Sequence, residues 1–287
     1  MVIWLEGRVY MEPFRYQQKS GVPYFTVDAW ENAFPHLTVG FSAKDHREDK
    51  FCRNYALHVG DQPKQVVSNR KELSSVLQMP FSAWTCGEQI HGVHIETVEE
   101  KHRGYGKDAR KTAFQDTDGM VTNETGILLA AYFADCVPLY FYAPDVDWIG
   151  IAHAGWKGTV GGIGSKMVRR LQSLGADPGK IRVVIGPSIG SCCYEVDERV
   201  YRPLENILSD EEAVNEVAVS RGRGRWQLDL KKANAKILEK AGVHPRHILL
   251  SRFCTSCDKD YFYSHRRDQG ETGRMVAYIG KKERGSE

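Results

Sequence analysis

The sequence predicts a single α/β domain, and three observations carry that prediction. Short apolar runs bounded by Gly, Pro and Asp recur along the chain and read as buried strands. Between them lie apolar stripes at helical spacing with recognisable stop signals. No internal repeat and no Pro- or Ser-rich linker divides the 287 residues, and that length supports a full core.

The elements follow in order. Residues 23–27 and 37–41 alternate like antiparallel strands, with turns at Gly21 and Pro35. A polar loop spans 42–54. Leu57-His-Val-Gly-Asp61 then leads to a helix with Val66, Val67, Leu73, Val76 and Leu77 on its stripe, stopped by Pro80. Residues 83–86 and 93–98 read as strands flanking Glu88-Gln-Ile-His-Gly92. The highly charged stretch 99–117 has no period and reads as a solvated excursion, after which Asp118-Gly-Met-Val-Thr122 re-enters the core. From Gly126 to Gly162 two apolar strands each end at a reactive residue, Cys136 in the first and His153 in the second. One helix follows, with Val160, Ile163, Met167, Val168, Leu171 and Leu174 on one face. Residues 181–186 form a buried strand ending in Gly186-Pro-Ser-Ile-Gly190. A helix capped by Asp229 and stopped by Gly242 precedes two last strands at 248–251 and 275–279.

Composition excludes several classes. With 41% hydrophobic and 26% charged residues the chain is neither disordered nor fibrous. A net charge of +2 argues against nucleic acid or an anionic membrane as the main partner. The longest apolar run, 127–143, is interrupted by Asp135 and is too short and polar to span a bilayer. The N-terminus, Met1-Val-Ile-Trp-Leu-Glu6-Gly-Arg8, has no basic start, long apolar segment or small-residue cleavage site, so a cytoplasmic protein is expected. Seven cysteines at irregular spacing fit free thiols, metal ligands or catalytic groups better than a disulfide framework.

Three residues at strand ends or turns, His91, Cys136 and His153, match the donor count of a catalytic zinc site with one open position. Their long spacing alone is better matched by two satisfied histidines and an inert buried thiol. Gly155, Gly158, Gly161 and Gly162 surround the start of the next helix. They suit either an anion at the free backbone N–H groups or tight strand-to-helix packing. Neither the P-loop nor the dinucleotide fingerprint is present. Cys254-Thr-Ser-Cys257 has CxxC spacing, but structural zinc needs a second pair and Cys192-Cys193 is adjacent rather than spaced, so free thiols are expected. In Ser264-His-Arg-Arg-Asp268 one of Arg266 and Arg267 can reach a phosphate, while an ion pair with Asp268 is the plainer use. Arg221-Gly-Arg-Gly-Arg225 reads as an exposed loop.

Taken together, the motifs resemble the laccase-domain proteins, once labelled multicopper polyphenol oxidases and now regarded as purine nucleoside phosphorylases. The resemblance runs over about residues 39–280. It covers Gly40-Phe-Ser42, Asn54-Tyr55, Val59-Gly-Asp61, Asn69-Arg70, Gln89-Ile-His-Gly92, Asp118-Gly-Met-Val-Thr122 and Ala134-Asp-Cys-Val-Pro138. It continues through Ala152-His-Ala-Gly-Trp-Lys-Gly158, Gly186-Pro-Ser-Ile-Gly190, Tyr194-Glu-Val196, Leu228-Asp-Leu230, Cys254-Thr255, Ser264-His-Arg-Arg-Asp268 and Thr272-Gly-Arg274. Lys157 stands where Arg is commoner in the family, and His265 where Tyr is commoner.

The resemblance implies a single catalytic domain over 1–287, built as a four-layer α/β/β/α sandwich with mixed sheets. It implies zinc on His91, Cys136 and His153, which are also the catalytic residues, with copper as a substitute that such donors bind tightly. It implies phosphorolysis of adenosine, inosine, guanosine and methylthioadenosine, with adenosine deamination beside it. Expected partners are purine nucleosides and inorganic phosphate, in a monomer or small homo-oligomer. Deamination would draw on the acidity a metal confers on bound water, although the usual H-x-E and P-C-x-x-C signature is absent. The phosphate cradle is assigned to Arg70, Gly155, Lys157 and Arg266. Asp135 is either an acid/base or an orienting group; alternation in an extended segment favours the structural role. The runner-up is a copper phenol oxidase, against which stands the absence of HxH pairs. A third reading is a non-catalytic zinc-stabilised interaction protein.

Overall fold

In the strand Val137–Ala143, successive side chains belong to two different cores, and that alternation sets the architecture. Val137, Leu139, Phe141 and Ala143 pack against helices, whereas Tyr140 and Tyr142 pack against a second sheet. Both faces are covered, which is why the run is continuously apolar in sequence. The computed structural model describes residues 3–5, 8–45, 51–60 and 62–282. Met1, Val2, Glu6 and Gly7 of the N-terminal reading, residues 46–50 of the polar loop, and Asp61 lie outside them.

Two six-stranded mixed sheets lie face to face. The first has the spatial order Arg15–Lys19, Val22–Thr26, Leu37–Ser42, Met275–Lys281, Leu128–Phe133 and Trp84–Cys86. The second runs Ile248–Leu250, Arg182–Ile185, Val137–Ala143, Trp148–Ala154, Gly119–Thr122 and Ile95–Thr97. Most neighbours are antiparallel. Trp84–Cys86 is parallel to Leu128–Phe133, and both end strands of the second sheet are also parallel to their neighbours.

Between the sheets lies an aromatic-rich core that includes Phe25, Phe41, Phe133, Tyr140, Tyr142 and Phe262. The outer face of the first sheet, through Leu128, Ala130, Tyr132, Val276 and Tyr278, packs on the helix Pro63–Val76. The outer face of the second packs on Ile163–Ser173, Glu198–Leu208 and Leu230–Lys240. The result is the α/β/β/α sandwich with mixed sheets that the resemblance implied.

Three local readings change. The helix after His153 is two helices, Trp156–Val160 and Ile163–Ser173, broken where Gly162 takes φ 75°. The chain there needs a left-handed residue, which glycine supplies without penalty. Helices Glu198–Leu208 and Glu211–Val217 were not anticipated. The first buries only Val200, Leu204 and Leu208 and contains Pro203, so its sequence signal is short and interrupted. Arg221 to Arg225 is the turn of a hairpin between Ala218–Gly222 and Arg225–Leu228, where Gly222, Arg223 and Gly224 all have positive φ.

Arg70 is a correction. Its side chain is buried, at 1% exposure, in the layer between the Pro63–Val76 helix and the first sheet. Nε and Nη2 donate to the Tyr55 carbonyl, and Nη1 donates to those of Gly106 and Lys107, at 2.7–2.8 Å. The guanidinium lies 4.7 Å from the Tyr132 ring centroid. Four of its five N–H groups are spent on backbone carbonyls, so Arg70 ties the charged 99–117 excursion to the body rather than holding phosphate. Arg70→Ala is expected to destabilise the protein by about 3 kcal/mol or more, because three carbonyls lose a charged donor. The check is the urea unfolding midpoint, with the phosphate KM of the folded variant left near that of the wild type.

Candidate metal centre and cleft

Strand register brings the reactive residues together. Pro138 pairs with His153, and Ala152 pairs with Gly119, so Cys136, His153 and Asp118 lie at the same end of three adjacent strands. Cys136 also lies between Leu128–Phe133 of the first sheet and Val137–Ala143 of the second. The chain crosses between sheets at Ala134-Asp135-Cys136, and Asp135 takes φ 86° to make the crossing.

His91 arrives from a loop held to both sheets. The Gln89 side chain donates to the Tyr132 carbonyl at 2.9 Å and accepts from its N–H at 2.7 Å, extending the first sheet by one amide. The Asp118 carboxylate accepts from the backbone N–H groups of Ile90, His91 and Gly92 at 2.7–3.1 Å, on the side of the second sheet. Gln89 and His91 both have positive φ, at 61° and 64°. This sparsely populated backbone turns the imidazole towards Cys136 and is kept by those bonds.

The donor atoms of His91, Cys136 and His153 all lie within 4.8 Å of one another, with His91 Nε2 at 3.9 Å from Cys136 Sγ. Tetrahedral zinc with bonds of roughly 2.0–2.3 Å separates its ligands by about 3.3–3.8 Å, so a small inward adjustment closes the site. His153 Nδ1 lies 2.8 Å from Asp118 Oδ1, which leaves Nε2 for a metal. Electrostatics agree with that use. Burial opposes a charged thiolate, but His153 and His91 outweigh it and hold the Cys136 thiol below its ordinary value. Burial likewise opposes a charged His153, yet Cys136 and Asp118 raise its pKa. Asp118 is held low against its own burial by His153 and by the N–H groups of Gly92 and Ile90. Two imidazoles and a ready thiolate suit zinc, or copper in its place.

The centre opens into a cleft of about 750 Å³, a size that suits a small organic ligand. Lys157, Arg266 and Arg274 line it, together with Trp156, Tyr194, His58 and His265. Arg266 lies across the Tyr194 ring at 5.1 Å and donates Nη1 to the Glu195 carbonyl at 3.2 Å. Its neighbour Arg267 instead pairs with Asp268 at 2.7 Å, the plainer of the two uses open in the sequence. Surrounding protein and the Arg274 charge push His58 down to about 4, although its ring faces the open cleft. Arg199 and Arg225 line the cleft as well, as do the carboxylates of Asp135, Glu195 and Asp197.

Other expectations shift. A Cβ at Gly155 would sit 2.9 Å from Cys136 Sγ and 3.1 Å from His91 Cδ2, so glycine lets the backbone pass beneath the donors. The helix it starts has five residues, too short to carry the anion cradle expected there. Asp135 is an anchor: its carboxylate accepts from Thr255 Oγ1, Ser264 Oγ and the Arg266 N–H at 2.6–3.1 Å. Sequence reasoning passed over Asp118, His58, Tyr194 and Arg274 as site residues. An acid that opens a buried strand was the available signal for Asp118; the other three depend on loops meeting in space. Cys192 and Cys193 are also not isolated, because they meet Cys254 and Cys257.

Fold and site define a layered α/β protein with a His/Cys/His centre at the seam of its two sheets. The chain belongs to the family described as multi-copper polyphenol oxidoreductase laccase, which matches residues 38–282. It is 48% identical to the purine nucleoside phosphorylase YlmD of Geobacillus stearothermophilus, over 87% of this chain and 92% of that one. The protein of the same name from Bacillus subtilis is 43% identical, over 80% and 82%. The crystal structure of the Geobacillus YlmD superposes with a TM-score of 0.89, covering 95% of this chain and all of that one at 42% identity.

Asp118→Asn keeps the shape but turns a four-fold acceptor into a group that must donate from one end. Metal affinity is expected to fall about 10–100-fold. Competition with a chromogenic chelator measures it, and an unchanged affinity would show that Asp118 does not orient the metal donors.

Proposed function

We propose that this protein is a zinc-dependent purine nucleoside phosphorylase, carried by one catalytic domain, with adenosine deamination as a second activity. The observation that carries the reading is one cleft holding both a His/Cys/His donor set and the cations Lys157, Arg266 and Arg274. The names of the relatives supply the reaction class. Adenosine, inosine, guanosine and methylthioadenosine are the substrates proposed.

In phosphorolysis a phosphate oxygen bonds to C1′ of the ribose while the C1′–N9 bond breaks. The electron pair leaves with the base, which takes up a proton. Arg266 is the residue assigned to the phosphate: its guanidinium is a planar, permanently charged fork, placed over the Tyr194 ring. Lys157 and Arg274 add charge from the same cleft. Trp156 and Tyr194 offer aromatic faces to the purine. Zinc on His91, Cys136 and His153 would supply a Lewis acid with one open position.

Among the described residues no helix is long and apolar enough to cross a membrane. We assign the protein to the cytoplasm, where its thiols stay reduced, as a monomer or small homo-oligomer.

Hypoxanthine release from inosine should require phosphate and vanish in Cys136→Ala. Release that persists in that variant would sink the proposed centre. Phenol oxidation that needs added copper and proceeds without phosphate would favour the oxidase, and inertness of the zinc protein towards all these substrates would favour a non-catalytic role. Arg266→Ala should raise the phosphate KM about tenfold or more, the loss of a charge-assisted hydrogen bond of roughly 1.5–3 kcal/mol. Steady-state kinetics in phosphate check this; an unchanged KM would take the anion site away from Arg266.

A further inference from the structure

A second cluster of metal-binding donors lies outside the catalytic centre. Cys192 and Cys193 follow the Gly186-Pro-Ser-Ile-Gly190 turn, and Cys254 and Cys257 occupy a turn after the strand Ile248–Leu250. The isolated bridge between Ser188 and Cys254, with Thr255 N–H donating to the Ser188 carbonyl at 3.0 Å, holds the two segments side by side. All four sulfurs lie within 4.8 Å of one another. Cys257 Sγ is 3.5 Å from Cys192 Sγ and 3.4 Å from Cys193 Sγ. A tetrahedral zinc tetrathiolate, with Zn–S of about 2.3 Å, has sulfur–sulfur edges of about 3.8 Å.

We propose that Cys192, Cys193, Cys254 and Cys257 form a structural zinc site that fastens one wall of the cleft.

The surroundings fit a thiolate cage better than four thiols. The Gly190 N–H donates to Cys254 Sγ at 3.2 Å, and the amides of Ser256 and Cys257 turn to the same sulfur. Amides of a CxxC turn that donate to its first sulfur stabilise the charged form. The Asp258 carboxylate accepts from the Cys254 N–H at 2.8 Å and locks the turn. A side chain at Gly190 would press on Cys192 and Cys254, with contacts of 3.1–3.3 Å. A divalent ion on the four sulfurs would release the thiol protons as it binds. Two cations lie at the edge. Lys231 donates Nζ to the Phe253 carbonyl at 2.7 Å, and Arg266 donates to the Glu195 carbonyl.

The site's position gives it a function. Tyr194, the platform under Arg266, directly follows Cys193, and Thr255 between the CxxC cysteines bonds to Asp135 at 2.6 Å. An ion on the four sulfurs would fix both segments relative to Cys136, the residue after Asp135.

The test uses the full chain, purified with a thiol reductant and no chelator, with zinc measured by inductively coupled plasma mass spectrometry. Wild type should hold two zinc ions per chain, one for each donor cluster. Cys136→Ala should hold one, and so should Cys257→Ser. Equal zinc in Cys257→Ser and wild type overturns the proposal, as does a wild type whose four cysteines are found paired as disulfides after alkylation. Should Cys257→Ser fail to fold, cobalt loading of Cys136→Ala decides. It should show the intense sulfur-to-cobalt charge-transfer absorption of a tetrathiolate, and absence of that band overturns the site.

Discussion

The centre depends on the carboxylate of Asp118. Oδ1 takes the His91 N–H and His153 Nδ1, and Oδ2 takes the N–H groups of Ile90 and Gly92. Each such charge-assisted bond is worth roughly 1.5–3 kcal/mol, and a carboxylate buried at 2% exposure tolerates nothing less than full pairing. One group therefore fixes the ring of one donor and the backbone of another. It also sustains the left-handed conformation at His91, which an unsupported loop would relax.

The two-sheet architecture explains why the donors sit where they do. Cys136 follows the first sheet and opens the second, so it stands at a seam that neither sheet alone could build. His153 and Asp118 come from strands adjacent to it in the second sheet, and Gln89 ties the His91 loop to the first. The metal donors are thus spread over both layers, and an ion bound there would cross-link the sandwich at its open end.

Much of this was legible in the sequence, for reasons that also mark the limit. Strands such as Val137–Ala143 were visible because burial on both faces makes them continuously apolar, but nothing in that pattern says which sheet a strand joins. The helix Leu230–Lys240 announced both ends through Asp229 and Gly242. The helix Glu198–Leu208, with three buried residues and an internal proline, announced neither. Arg70 misled because an arginine looks the same whether its partners are phosphate oxygens or the carbonyls of Tyr55, Gly106 and Lys107. Adjacency in sequence likewise hid that Cys192 and Cys193 meet the CxxC turn, which the Ser188–Cys254 bridge brings beside them.

Asp135 and Cys136 show how a single peptide can serve two structures. Alternation in an extended strand would send the pair to opposite faces and separate their roles. With Asp135 at φ 86° the chain turns instead, so both side chains line one cleft. Asp135 gathers Thr255, Ser264 and the Arg266 amide into the wall, while Cys136 completes the donor set. Moving the wall that carries Arg266 therefore moves the residue bonded to the sulfur ligand. One hydrogen-bonded carboxylate thus holds the wall that carries Arg266 in register with the His/Cys/His donor set, and the metal-assisted phosphorolysis proposed for this cleft would need both at once.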